Sequence, residues 1–177
     1  INADFAYAMT ELVDSKDRKK WTDRNIAAKD YSCSTFMLYL GVKKEFRDMA
    51  HHSIVFAEDY KRNVDEITKE MVLSKDFSFY VQNPSVTDNT LAPRGKSAIY
   101  VLVPVPNNKS LIDWDEEKQG FRNRVIDALE TRGGYGGLRE NIEVEKIITP
   151  RDWKGDHSVY LGATFNLAHN VGQMLYF

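Results

Sequence analysis

The chain has 177 residues, 42% of them hydrophobic and 28% charged, with a formal net charge of −2. That length suits one domain with a substantial core, and the near balance of charge excludes the electrostatic footprint of a nucleic-acid binder. The single cysteine, Cys33, excludes an internal disulfide and a Cys-rich zinc site, and is expected as a reduced thiol in a buried strand.

Asp4 is placed to cap a helix in which Phe5, Ala8, Met9 and Leu12 recur at helical spacing. Residues 13–30 are heavily charged (Lys16, Asp17, Arg18, Lys19, Lys20, Asp23, Arg24) and read as a solvated connector anchored by Trp21. Such a cluster can touch anionic lipid, although acids are interspersed. Ser34–Val42 is β-rich, nearly continuous in apolar residues and stopped by Gly41, so it predicts a strand. Ser53–Ala57 predicts a shorter one. Asn63 with Glu66 resembles a capping box, opening an amphipathic helix through Val64, Ile67 and Met71.

Two β-rich runs, Phe79–Gln82 and Ala98–Val105, flank a polar loop. The second is apolar at almost every position, which predicts that both of its faces are covered. Asp113 with Glu116 forms another box, and Trp114, Phe121, Val125 and Leu129 share one stripe of the helix that follows. Gly133 and Gly134 stop that helix. Ile142–Thr149 alternates in its first half, as a half-buried or edge strand does, and Pro150 ends it. Tyr160–Phe177 is apolar but interrupted by Gly162, His169, Asn170 and Gly172, and reads as irregular with a short helix near Leu167. The sum is an α+β fold, a mixed, largely antiparallel sheet of about five strands with helices packed on one face.

Few motifs carry chemistry. Gly133–Gly137 follows a helix and precedes a strand, the reverse of a phosphate-binding turn, so it reads as a cap and loop. His51 and His52 are adjacent at a strand start. Neighbours on a strand point to opposite faces, so the pair cannot share a metal. His157 and His169 are isolated, and neither a metalloprotease motif nor a nucleophile elbow is present. Asp113, Asp115, Glu116 and Glu117 favour the helix macrodipole. Asn108-Lys109-Ser110 matches a glycosylation sequon with no other sign of secretion. Gly162–Gln173 lacks regular period; its glycine permits close approach of a ligand, or simple packing of a loop on the sheet.

Several segments resemble phytoene desaturase-type carotenoid oxidoreductases: Cys33–Gly41, His51–Phe56, Tyr80–Pro106, Thr149–Trp153, Gly162–Leu167 and Gln173–Phe177. They occur in order over nearly the whole chain. The resemblance implies a substrate-domain fragment lacking both FAD-binding segments. Residues 1–30 would leave the FAD domain, 31–150 form the sheet-and-helix substrate domain, and 151–177 return toward the FAD domain. The opening at Ile1 and the apolar close on Met174-Leu175-Tyr176-Phe177 read as cuts from a longer polypeptide.

The implied activity is dehydrogenation of a long apolar polyene by hydride transfer to flavin, with FAD in the full-length protein and neither cofactor nor activity expected in the fragment. The implied partners are the polyene, the protein's own FAD domain and, peripherally, the membrane of a cytoplasmic protein, with no nucleic acid. Substrate-lining candidates are Phe36, Leu38, Leu40, Tyr100, Leu102, Phe165 and Leu167, each of which could equally be core. His169 and Asn170 are candidates near the flavin. No catalytic residue and no metal ligand is carried over. The alternatives are a non-catalytic apolar-ligand or membrane-surface module, a carotenoid isomerase or ketolase relative, and an interaction domain. The fragment is expected to show an apolar face where the FAD domain was removed and to associate with itself or with detergent through it.

Overall fold

A computed structural model of the chain describes residues 3–175. The end positions 1–2 and 176–177, which include parts of both expected cuts, lie outside the described residues. Five strands form one sheet in the order β2-β3-β4-β1-β5. The strands are β1 (Ser34–Val42), β2 (His52–Val55), β3 (Phe79–Gln82), β4 (Ser97–Val105) and β5 (Ile142–Ile148). Every pairing is antiparallel, so the sheet is α+β as expected but not mixed. β1 and β4 pair along their full length, from Ser34 opposite Val105 to Val42 opposite Ser97. A register shift between Gly41 and Val42 interrupts the β1–β5 ladder.

The core lies on one face of this sheet. Phe36, Leu38, Leu40 and Val42 of β1 stand with Ile99, Val101, Val103 and Val105 of β4. The stripe of α4 (Trp114–Thr131) packs on them through Trp114, Phe121, Val125, Ile126 and Leu129. Phe36 stacks on Trp114 at 5.6 Å and meets the edge of Phe121 at 4.9 Å. Asp113 caps α4 by accepting from the Asp115 N–H at 2.9 Å, and Gly134 beyond its end has φ +81°. The glycine run thus joins α4 to α5 (Leu138–Asn141).

The near-continuous apolar sequence of β4 does not cover both faces. Its residues alternate strictly between buried and half-buried, so the second face is open within this chain. Three local expectations also change. Asn63 is not a cap. It sits buried inside α3 (Tyr60–Asp65), donating to Ser74 Oγ and accepting from the Ser78 N–H, while Asp59 caps the helix. Asn63 therefore stitches the helix to the lead-in of β3. The charged connector contains a short helix, α2 (Asp23–Ala27), capped by Thr22. Pro150 ends β5 but also starts α6 (Pro150–His157). Thr149 and Asp152 form a reciprocal capping box there, and Pro suits a first helical position.

The expected N-terminal helix begins as α1 (Phe5–Tyr7), with Asp4 accepting from the Tyr7 N–H, and widens into a π turn over Ala8–Leu12. Trp21 meets Phe5 edge-on at 5.0 Å, the anchoring expected of it. A last helix, α7, spans Val171–Leu175 rather than lying near Leu167. Among the described residues, no helix is long and apolar enough to cross a membrane.

Candidate functional site

The open face of the sheet is where the chain presents chemistry. Antiparallel register sets Tyr39 of β1 directly opposite Tyr100 of β4. Their rings meet edge-to-face with centroids 5.3 Å apart. Tyr100 in turn lies 6.0 Å from Tyr80 of β3, on the diagonal that cross-strand neighbours use. Tyr80 stacks at 5.9 Å on His52 of β2, and its hydroxyl is 2.6 Å from His52 Nδ1. His51 stacks on His52 at 4.2 Å. Five rings thus run across β1, β4, β3 and β2 as one row.

The row is bordered by apolar side chains. Met37 pairs with Leu102, and Leu102 with Tyr80. Beside Tyr39 and Tyr100 a shallow depression is lined by Gly41, Pro84, Ala98, Val144 and Lys146. Gly41 is required there, because a Cβ would stand 2.6 Å from Val144 Cγ2. The phenols of Tyr39 and Tyr100 are both held above the ordinary tyrosine range, chiefly by burial, and for Tyr100 also by the neighbouring phenols. These two hydroxyls are therefore neutral under ordinary conditions. The site can stack and shield an elongated apolar molecule.

The candidate lining residues fall on three surfaces. Tyr100 and Leu102 are on the open face. Phe36, Leu38 and Leu40 are not; they point into the core beneath α4 and are almost wholly buried. The strand period sends alternate residues to opposite faces, so the β1 residues on the Tyr100 side are Met37, Tyr39 and Gly41; of these Met37 is itself buried, and Tyr39 is the one that is exposed. Phe165, Leu167, His169 and Asn170 lie elsewhere, where β1 begins. Leu167 is buried and bridges to Tyr31, and Phe165 is half exposed. Asn170 donates to Asp30 Oδ2 at 3.2 Å, and His169 is exposed.

That second region joins the two terminal stretches. Ala168 N–H donates to Asp30 O at 2.9 Å, and the Gln173 amide both accepts from Asp30 N–H and donates to Asp30 O. Gly162, with φ +62°, approaches the Pro150 carbonyl, so its small size serves chain packing against α6. Cys33 is half-buried just before β1, and burial raises its thiol pKa.

Tyr39, Tyr80 and the histidine stack were missed as site residues. The signal was the alternation within β1, β3 and β4, hidden because both faces of β1 and β4 carry apolar residues. His51 precedes β2 rather than lying in it, so the opposite-face argument does not hold and the two rings stack. Even so, no three or more His, Cys, Asp or Glu among the described residues are grouped so as to hold a metal ion. Nor do these residues fit a flavin. The glycine run caps a helix end and lacks the strand-turn-helix order that presents amides to a pyrophosphate.

No family model matches the sequence. The chain is 55% identical, over 99% of its length, to a 4,4'-diapophytoene desaturase (4,4'-diapolycopene-forming) from a Methylomonas species. It is 41% identical over 98% of its length to an all-trans-zeta-carotene desaturase from Myxococcus xanthus. It is 35% identical over 99% to a neurosporene-forming phytoene desaturase from Rhodobacter capsulatus. The chain spans about a third of the length of these curated relatives, 34%, 33% and 34% respectively.

Proposed function

We propose that this chain, which by homology belongs with the phytoene desaturase-type carotenoid oxidoreductases, forms the substrate-binding part of an FAD-dependent carotenoid desaturase. The observation that carries this reading is the aromatic row Tyr39-Tyr100-Tyr80-His52-His51 on the sheet face opposite the core. A long polyene offers a flat, uncharged π surface. Aromatic rings with centroids 4.2–6.0 Å apart offer it stacking and edge contacts along several strands.

The reaction in this reading is dehydrogenation at an allylic carbon, with the hydride passing to flavin held by other parts of a longer protein. The residues described here bind the polyene, orient it and exclude water. The stitched pair of terminal stretches supports the domain arrangement, since both would then leave the sheet at one place toward a flavin domain. A substrate that dissolves in lipid also suits a cytoplasmic enzyme working at the membrane surface.

The test is the protein at its natural length, reconstituted with FAD and lipid. It should show flavin absorbance and turn colourless phytoene or a shorter analogue into coloured products. A protein that neither takes up FAD nor produces colour overturns the reading in favour of a non-catalytic apolar-ligand module.

A further inference from the structure

The two edges of the sheet are built differently. β5, at one edge, carries Glu143, Glu145 and Lys146, with Glu143 paired to Lys96 and Glu145 to Arg122. Charges of this kind blunt an edge against pairing with another chain. β2, at the other edge, has none. From His51 to Ala57 the sequence HHSIVFA contains no Lys, Arg, Asp, Glu, Pro or Gly. Ile54 on the strand is 63% exposed, and Phe56 just beyond its end is 61% exposed, both unusual for large apolar side chains.

The backbone of that edge is also unpaired. Asn83 N–H donates to His51 O at 2.8 Å just before β2 begins, which sets the hydrogen-bond phase of the β2–β3 ladder. Antiparallel positions alternate, so Ser53 and Val55 bond to β3, while the N–H and C=O of His52 and Ile54 face away from it. No described residue takes up those outward groups. The free stretch ends at Phe56, whose carbonyl accepts from Arg132 at 2.8 Å.

We propose that β2 pairs with β2 of a second copy of this chain, antiparallel about a two-fold axis at Ile54. A two-fold interface must be self-complementary, and this strand is. Ile54 then meets the second copy's Ile54 through two backbone hydrogen bonds, and His52 faces the second copy's Phe56. No like charges meet within the paired strands, and the acidic flank at Glu58 runs out beside the second copy's His51. His52 and Ile54 stand on the open face, since Ile54 pairs with Tyr80 and His52 with Gln82. The two aromatic faces would therefore join into one surface across a ten-stranded sheet. This inference does not depend on the polyene reading.

The test is sedimentation velocity on the protein at its natural length, at about 100 µM, a concentration that populates even a modest interface. The expected result is a dimer that Ile54→Lys weakens at least about tenfold, while Tyr100→Glu on the open face leaves it intact. In a Cys33→Ser background, Ile54→Cys should give a disulfide-linked dimer on mild oxidation, because directly opposite Cα atoms stand about 5.5 Å apart. Leu111→Cys, at a fully exposed loop position, should not. A monomer at that concentration overturns the proposal. So does a dimer that Tyr100→Glu dissolves and Ile54→Lys does not, which would place the contact on the open face instead.

Discussion

Tyr39 and Tyr100 stand directly opposite each other on neighbouring strands, and their rings meet edge-to-face at 5.3 Å on the face of the sheet opposite the core. An aromatic pair of this geometry ordinarily contributes about 0.5–1.5 kcal/mol beyond its buried area. Tyr39 remains 38% exposed, so much of its ring surface is left for a ligand.

Truncation of Tyr100 to Ala should therefore weaken polyene turnover more than it weakens the fold. We expect kcat/KM for a polyene in liposomes to drop about tenfold, equivalent to about 1.4 kcal/mol. Tyr100→Phe should retain most activity, because the ring and not the hydroxyl makes the contact. Phe36→Ala provides the contrast. It removes a ring packed between Trp114 and Phe121 and should cost about 3–5 kcal/mol in urea unfolding.

Gly41 and Val144 should be energetically coupled. A methyl at Gly41 would stand 2.6 Å from Val144 Cγ2, so Gly41→Ala should destabilise by about 1–3 kcal/mol. Val144→Ala removes the obstructing atom. The double variant should recover most of the loss, and a double-mutant cycle by chemical denaturation measures the difference. Simple additivity would mean that the β1–β5 contact is looser than described.

Thr149 satisfies the first turn of α6 together with Asp152, whose carboxylate accepts from the Thr149 N–H at 2.8 Å. Thr149→Ala should lower stability by about 1 kcal/mol, and Thr149→Ser should restore it, read as shifts in thermal midpoint. The helix matters beyond itself, because Trp153 of α6 donates from Nε1 to Thr35 O at 3.0 Å on β1.

Stability should also fall at alkaline pH. Burial is the largest influence raising the phenol pKa of Tyr39, Tyr100 and Tyr135 above the ordinary value. The native state then holds those protons more tightly than the unfolded chain does. The resulting stabilisation is complete below the unfolded tyrosine pKa of about 10 and is lost as pH rises toward the folded values. Spectrophotometric titration should show a set of tyrosines ionising late, with unfolding following. Early, independent ionisation of all tyrosines would contradict this.

Much of the fold was legible because its signals are local. Ser34–Val42 was read with its observed bounds, and the α4 stripe follows the helical period. Asn63 misled because a polar residue three positions before Glu66 looks like a cap, whereas tertiary packing uses its side chain to hold Ser74 and Ser78. Pro150 stops β5 and also suits a first helical position, so one residue ends a strand and starts α6. The site was half legible. Tyr100 and Leu102 reach the open face, but Phe36, Leu38 and Leu40 do not, since hydrophobicity alone cannot tell which face of a doubly apolar strand will be covered. The histidine stack depends on where β2 begins, which the sequence leaves uncertain by a residue.

Placement of a polyene along the aromatic row is read out by a photo-crosslinking benzophenone side chain at position 39, 100 or 111 of the active, full-length protein in liposomes with a polyene substrate. After illumination, mass spectrometry should find polyene adducts from positions 39 and 100 and none from position 111, which is exposed in the loop between β4 and α4, outside the aromatic row. Adducts from position 111 alone, in a protein that still turns over, would contradict the account.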